Sequence, residues 1–259
     1  MTSVIPFEAG RFRSTAARYH ARPAYAPRLI RRVAEACRLT PASRVLDLGC
    51  GPAPLAIAFA PLAGRILAID PEPEMLAEAA RGAASAGVAV EFRESSSNDL
   101  TPDLGRFDLV AIGRAFHWMD RADTLRRLDA MIEPEGAIAL FDDGHPELPD
   151  NRWLEPYRAI SDRYAERGAW RNPGWIRHEA VLLDSPFAVL ERFAAIDRRA
   201  VPAETLVDRV LSRSTSSPAR IGAAAADALA AELRDFVAGI ATDGCVTEVV
   251  ETSALVARR

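Results

Sequence analysis

The first half of the chain alternates short apolar runs with segments long enough for a helix, and this alternation constrains the fold more than any other feature. The runs are Arg44 to Leu48, Arg65 to Asp70, Val88 to Phe92, Phe107 to Ile112 and Gly136 to Phe141. They are nearly continuous in aliphatic residues and bounded by turn formers, the pattern of strands buried on both faces of a parallel sheet. Between them lie Pro52 to Leu62, Glu72 to Ala86 and Asp120 to Ile132. Pro71 and Pro73 suit a first helical turn, and Glu72 and Glu74 complement the positive end of a helix there. Strands interleaved with helices predict a doubly wound, Rossmann-like α/β sheet.

After Asp142 the pattern changes. Residues 143–186 are rich in Pro, Arg and aromatics, with Trp153, Tyr157, Tyr164, Trp170 and Trp175, and one helical segment near Arg152 to Arg167. This stretch reads as an insertion after the fifth strand, and its aromatics as a lid over a ligand, with a satellite core as the alternative. Strand-like sequence resumes at Val189 to Val201 and ends with Val246 to Val256, with helices near Ala203 to Ser212 and Ala219 to Ile240 between them. The sum is seven strands in one domain spanning 1–259, with a core at 36–142 and 187–259 and covering elements at 1–30, a helical N-terminal arm, and 143–186.

Composition removes several chemistries. All 32 cations counted as Lys+Arg are arginines, so Schiff-base and pyridoxal-phosphate enzymes and lysine-bearing phosphate loops are excluded. Cys37, Cys50 and Cys245 are odd in number and show no C-x-x-C pairing, which argues against a disulfide framework or a zinc knuckle. No apolar run reaches a membrane span and the first residues lack a signal-peptide core, so a cytoplasmic protein with no membrane partner is expected. Residues 1–40 carry eight arginines against two glutamates, while the whole chain is net −4. With a pI of 5.7, a basic arm on an acidic body points away from nucleic acid and leaves local attraction of an anion open beside a solvated helix face.

The first strand runs into Asp47-Leu-Gly49-Cys-Gly51-Pro-Ala53, and the second ends in Asp70, 19 residues after Gly51. Glycines at a strand-to-helix turn let backbone approach a ligand, and an acid at that distance is placed to hold ribose hydroxyls. A nucleoside at the carboxyl edge of the sheet is therefore expected. Pro54 occupies the place of the third glycine of a dinucleotide fingerprint, which disfavours a nicotinamide oxidoreductase.

These residues resemble the E/D-x-G-x-G-x-G motif of class I S-adenosylmethionine-dependent methyltransferases, with Ala53 for the last glycine. Phe107-Asp-Leu-Val with His117-Trp118-Met-Asp120 resembles the F-D-x-V…H-W-x-D segment of the small-molecule type 11 group. Glu133-Pro-Glu-Gly136 resembles its P-G-G turn, with Glu135 replacing the first glycine, and Tyr19-His-Ala-Arg22-Pro23-Ala-Tyr25 resembles the lead of trans-aconitate methyltransferase. The resemblance implies S-adenosylmethionine as cofactor. Gly49 and Gly51 would pass under its methionine, Asp47 would lie near its amino group and Arg22 would bind its carboxylate. Asp70 would hold the ribose, with Pro71 and Met75 beside the adenine. The segment Ser95 to Leu100 lacks the acid that relatives offer to the adenine amino group, leaving Ser96, Ser97 or Asn98 in its place. Gly113 and Arg114 would sit beside the sulfonium, where relatives carry a small polar residue instead of Arg114.

His117 is the candidate general base, with loop packing as the alternative; Tyr19 is a candidate contact to substrate or sulfonium, with packing again the alternative. His20, His145 and His178 read as surface residues. No metal site is expected: no Asp ends the fourth strand, although Asp142 and Asp143 end the fifth. A [DNS]-P-P-[YF] run, a double-glutamate loop and a G-x-S-x-G elbow are all missing from the sequence. The expected activity is methyl transfer to O, N or C of a small metabolite, by a monomer or homodimer. Two alternatives stand: a carboxylate O-methyltransferase for a small organic acid, and a catalytically silent cofactor-binding module, which the departures at Ala53 and Arg114 keep open.

Overall fold

In the computed structural model, which describes residue 10 and residues 12–165 and 176–259, the apolar runs form a seven-stranded sheet of order β3-β2-β1-β4-β5-β7-β6. β1 (Arg44–Leu48) and β2 (Arg65–Asp70) have the boundaries expected from the sequence, and β4 (Phe107–Gly113) is one residue longer. β3 (Glu91–Glu94) lies further along than expected, because Gly87 closes the preceding helix in a left-handed conformation and Val88 to Val90 serve as the connection. β5 (Ile132–Gly144) is much longer, and its far end pairs with the last strand. β6 (Val189–Pro202) and β7 (Cys245–Arg258) form an antiparallel ribbon, while β1 to β5 are parallel. The strand order reverses between β1 and β4, which opens a crevice at their carboxyl ends where ligands bind in such sheets.

Each face of the sheet is covered by helices. α1 (Pro27–Ala36), α2 (Pro54–Phe59) and α3 (Pro73–Ala86) lie on one face, where Leu29, Ile30, Val33, Leu55, Phe59 and Ala79 pack on Val45, Ala68, Leu109 and Ala139. On the other face α4 (Arg121–Asp129) packs Leu125 and Leu128 with Leu182 and Phe187 against Leu46, Leu48, Val110 and Ile138. α1 thus belongs to the sheet's core, and the covering part of the arm is the 3-10 segment Arg13–Ala21.

A satellite core forms beyond the ends of β6 and β7. α5 (Leu154–Tyr164) of the insertion contributes to it, whereas α6 (His178–Leu183) packs on the sheet; α7 (Ala203–Leu211), α8 (Pro218–Ile221) and α9 (Ala223–Ile240) complete it. Gly222, at φ 85°, divides the single helix expected from residue 219. Ala226, Leu229, Ala230, Leu233 and Val237 recur at three- and four-residue spacing and bury one stripe of α9 against Leu206, Val210 and Tyr157. Trp153 donates to the carbonyl of Thr247 and Tyr157 to that of Leu206. Trp153, Tyr157 and Tyr164 pack within the helical unit, the satellite-core alternative to a lid; Trp170 and Trp175 lie outside the described residues.

Candidate active site

The turn after β1 is built from left-handed backbone: Gly49 at φ 67°, Gly51 at 54° and Ala53 at 57°. Ala53 therefore adopts the conformation a glycine would, fully buried, and Pro54 opens α2 in the first-turn position that suits proline. The Gly49 and Cys50 amides both donate to the Ile69 carbonyl at 2.9 Å, which pins the turn to β2. A Cβ on Gly51 would project between Met75 and Tyr19, 4.0 Å from each, into the space the turn encircles.

Asp70 organises the rim of that space. Its carboxylate accepts from the Gly51 amide at 2.8 Å and the Glu72 amide at 2.9 Å. Burial is the main influence on it and raises its pKa to about 6, against the pull of those two bonds. Glu72 is itself buried and accepts from the Gly10 amide at 2.8 Å, so the arm is fastened beside Asp70. Asp47 lies elsewhere. It is 1% exposed, accepts from the Ala56 amide at 2.9 Å, and is absent from the cavity lining; it secures the first turn of α2. Burial pushes its pKa up to about 7.

The crevice is a cavity of about 1000 Å³ that brings together Tyr19, Arg22, Gly49, Gly51, Asp70, Pro71, Met75, Ser96, Ser97, Gly113, Arg114 and His117, so of the candidate residues Asp47 alone lies outside it. The Ser96 hydroxyl donates to Asp99 at 2.6 Å and caps the short turn Ser97–Asp99, so its proton is already committed. Gly113 is required by close approach: a Cβ there would come 2.8 Å from the Tyr25 hydroxyl and 2.9 Å from Leu55. Arg114, at φ 55°, donates to Asp143 at 2.7 Å and to the Pro23 carbonyl at 3.2 Å, with its guanidinium over the Tyr25 and Tyr19 rings. Burial opposes its charge, but Tyr25, Tyr19 and Asp143 more than compensate and hold its pKa above the usual value.

His117 sits in a 3-10 turn, its ring 4.7 Å from that of Trp118. Burial, followed by His178, Arg121 and Arg22, lowers its pKa to about 4, so the expectation of a base titrating near neutrality is corrected. Two of the three histidines read as surface residues are also corrected. His145 contacts buried Glu248 at 3.3 Å. His178 lines the cavity, lies against Phe116 and is lowered to about 4, first by burial and then by Arg121. Arg121 stays protonated, so its Nη1 donates to Nδ1 of His178 at 3.2 Å and leaves the ring hydrogen on Nε2. His20 is exposed as expected.

Phe12, Glu72, His178 and the loop Arg213 to Thr215 line the cavity without having been singled out in the sequence. Glu72 comes from the turn before α3 and the others from the arm, the insertion and the helical unit, and no local motif marks them. Among the described residues no group of three His, Cys, Asp or Glu side chains could hold a metal ion.

Residues 45–136 match a family model described as a methyltransferase domain. An uncharacterized methyltransferase of Mycobacterium tuberculosis is 28% identical over 202 residues, covering 77% of this chain and 75% of that protein. The stretch that matches the family model runs from β1 into β5 and holds the glycine turn, Asp70 and His117. A ubiquinone biosynthesis O-methyltransferase of Methylocella silvestris is 34% identical over 96 residues, 37% of this chain and 38% of that protein. A crystal structure of an S-adenosylmethionine-dependent methyltransferase from Geobacter sulfurreducens, in complex with S-adenosyl-L-homocysteine, shares the fold at a TM-score of 0.55 and 18% identity, covering 99% of each chain. S-adenosylmethionine, the methyl donor of such enzymes, meets residues that fit it here. The turn leaves open space at Gly51, where an added Cβ meets nothing closer than 4.0 Å, and the buried Asp70 carboxylate lines the same cavity.

Proposed function

We propose that this methyltransferase moves the methyl group of S-adenosylmethionine to an O, N or C atom of a small metabolite, in the cytoplasm. One observation carries the reading: the glycine turn and Asp70 open into the same cavity as His117, His178, Asp142 and the Arg213 loop, which gives cofactor and acceptor one continuous space. When bound, the cofactor would supply an activated methyl on a sulfonium, the neutral thioether of S-adenosyl-L-homocysteine leaving as the acceptor atom bonds in line to the methyl carbon. What the chain adds is mainly alignment.

In this reading Gly49 and Gly51 let the methionine pass close to backbone, Asp70 takes the ribose hydroxyls, and Pro71 and Met75 flank the adenine, with Ser96 and Ser97 at its edge. Arg22 holds the methionine carboxylate, and Tyr19, Gly113 and Arg114 border the reacting centre, where the Asp143 partner keeps the Arg114 charge from opposing a sulfonium. Asp47 acts from beneath, by fixing α2. With a pKa near 4, His117 is neutral at physiological pH and a feeble base; its role is to accept a hydrogen bond from the acceptor and orient it. The departures at Ala53 and Arg114, which keep a silent module open in the sequence, are both accommodated by local structure.

Calorimetric titration with S-adenosyl-L-homocysteine, followed by a screen of metabolites with labelled methyl donor, tests the proposal. Binding that collapses in Asp70→Ala and label appearing in a small molecule are expected. No binding by the wild-type protein would sink it.

A further inference from the structure

The cavity is richer in cations than its cofactor requires. Arg114 is neutralised by Asp143, and Arg177 and Arg192 share Glu179. Arg22 spends Nε on the Ser212 hydroxyl at 2.9 Å and Nη2 on the Ser212 carbonyl at 3.2 Å. Arg213, the next residue along that loop, also lines the cavity, and among the described residues its guanidinium has no hydrogen-bond or ion-pair partner. Arg22 and Arg213 stand close enough that each charge opposes the other: burial, then Arg114 and Arg213, depress the Arg22 pKa.

The surroundings of Arg213 are those of an oxyanion receptor. Ser214 and Thr215 follow it on the same loop and Ser161 of α5 lines the same space, with Thr215 and Ser161 buried. Hydroxyls and a planar guanidinium together donate to a carboxylate or phosphate. Of the neighbouring acids, Asp162 is exposed, Asp143 is paired with Arg114, and burial raises the pKa of Asp142. S-adenosylmethionine brings a single carboxylate, which Arg22 takes in the reading above.

We infer that Arg213, with Ser214 and Thr215, is the specificity site for an anionic group, a carboxylate or a phosphate, on the methyl acceptor. The inference rests on the proposed function, since it assigns the part of the cavity the cofactor does not fill. Arg213 is a recognition residue in this scheme and touches no atom of the cofactor.

The test is calorimetric titration of the protein saturated with S-adenosyl-L-homocysteine, using malonate, inorganic phosphate and the neutral isostere malonamide. Expected are saturable binding of malonate, phosphate or both, weakening as salt is raised, and no binding of malonamide. Arg213→Gln should weaken anion binding at least tenfold, Arg213→Lys should retain part of it, and both should bind S-adenosyl-L-homocysteine within twofold of wild type, which also shows that they fold. Preference for malonate or for phosphate tells which acceptor anion the site takes. Equal binding of malonamide, no anion binding, unchanged anion binding in Arg213→Gln, or loss of S-adenosyl-L-homocysteine binding in both variants would each overturn the assignment. Failure of wild type to bind S-adenosyl-L-homocysteine would count against the proposed function instead, and malonate titration of the cofactor-free protein then decides the anion site alone.

Discussion

Glu248 lies near the start of β7 with its side chain 1% exposed, and replacing it by glutamine should cost far more stability than a surface change. Both oxygens accept from Arg209 of α7, at 2.6 and 3.2 Å, and His145 contacts one of them at 3.3 Å. Burial by itself would push this carboxyl up; the bonds from His145 and Arg209 more than reverse that and hold it at about 2, against an ordinary 4.5. At about 1.4 kcal/mol per pH unit this amounts to about 3 kcal/mol. Leaving a buried arginine without its partner costs about 3 to 5 kcal/mol in comparable cases, so two routes give the same size. Chemical denaturation of Glu248→Gln at pH 7.5 should therefore show a loss of about 3 kcal/mol, or roughly 6 to 12 °C in Tm for a chain of this length. A depressed carboxyl stabilises above its unfolded pKa and loses that contribution as pH falls through its folded one. The gap between wild type and variant should thus be full above pH 5 and at least halved by pH 3. Arg209 also donates through Nε to the Ala21 carbonyl, next to Arg22, so the variant should bind S-adenosyl-L-homocysteine more weakly as well. A loss below 1 kcal/mol at pH 7.5, or a gap that does not change with pH, would refute the reasoning.

Three further outcomes are expected. Gly49→Ala places a Cβ 2.9 Å from Ala115 and 3.1 Å from Met119 at a positive φ, whereas on Gly51 the same atom meets nothing closer than 4.0 Å; Gly49→Ala should lose more in Tm by thermal unfolding, and Gly51→Ala more in cofactor affinity by calorimetry. Because burial holds the Asp70 pKa at about 6 and ligand donors favour its ionised form, affinity for S-adenosyl-L-homocysteine should rise between pH 5 and 7 and level off above, and the rise should vanish in Asp70→Asn. With His117 held at about 4, the pH profile of kcat/KM should lack a His117-dependent inflection near 6.5; an inflection there that disappears in His117→Asn would contradict the burial argument.

Much of the fold was legible because a parallel strand buried on both faces needs an unbroken apolar run, and such runs mark their own ends. Arg44–Leu48 and Arg65–Asp70 agree residue for residue for that reason. The long extension of β5 to Gly144 was not legible, since Asp142, Asp143 and Gly144 are strand only through pairing with Ser253, Thr252 and Glu251 of β7. The cofactor half of the cavity was readable in the same way: a glycine turn and an acid at fixed spacing are local consequences of strand, turn and helix. That Asp47 is held by the Ala56 amide was not legible, because spacing puts it near the turn but does not say which face of β1 its side chain takes.

The amino-acid sequence by itself determined the doubly wound sheet, the glycine turn at Gly49 to Gly51 and the position of Asp70, because each follows from periodicity or from local spacing. Only the tertiary structure decided the protonation of His117, the fastening of the arm through Glu72 and Ala21, and the meeting of Arg22 with Arg213, residues 191 positions apart in the chain. Burial and the sum of neighbouring charges set those properties, and both are properties of the folded assembly of distant segments that no local stretch contains.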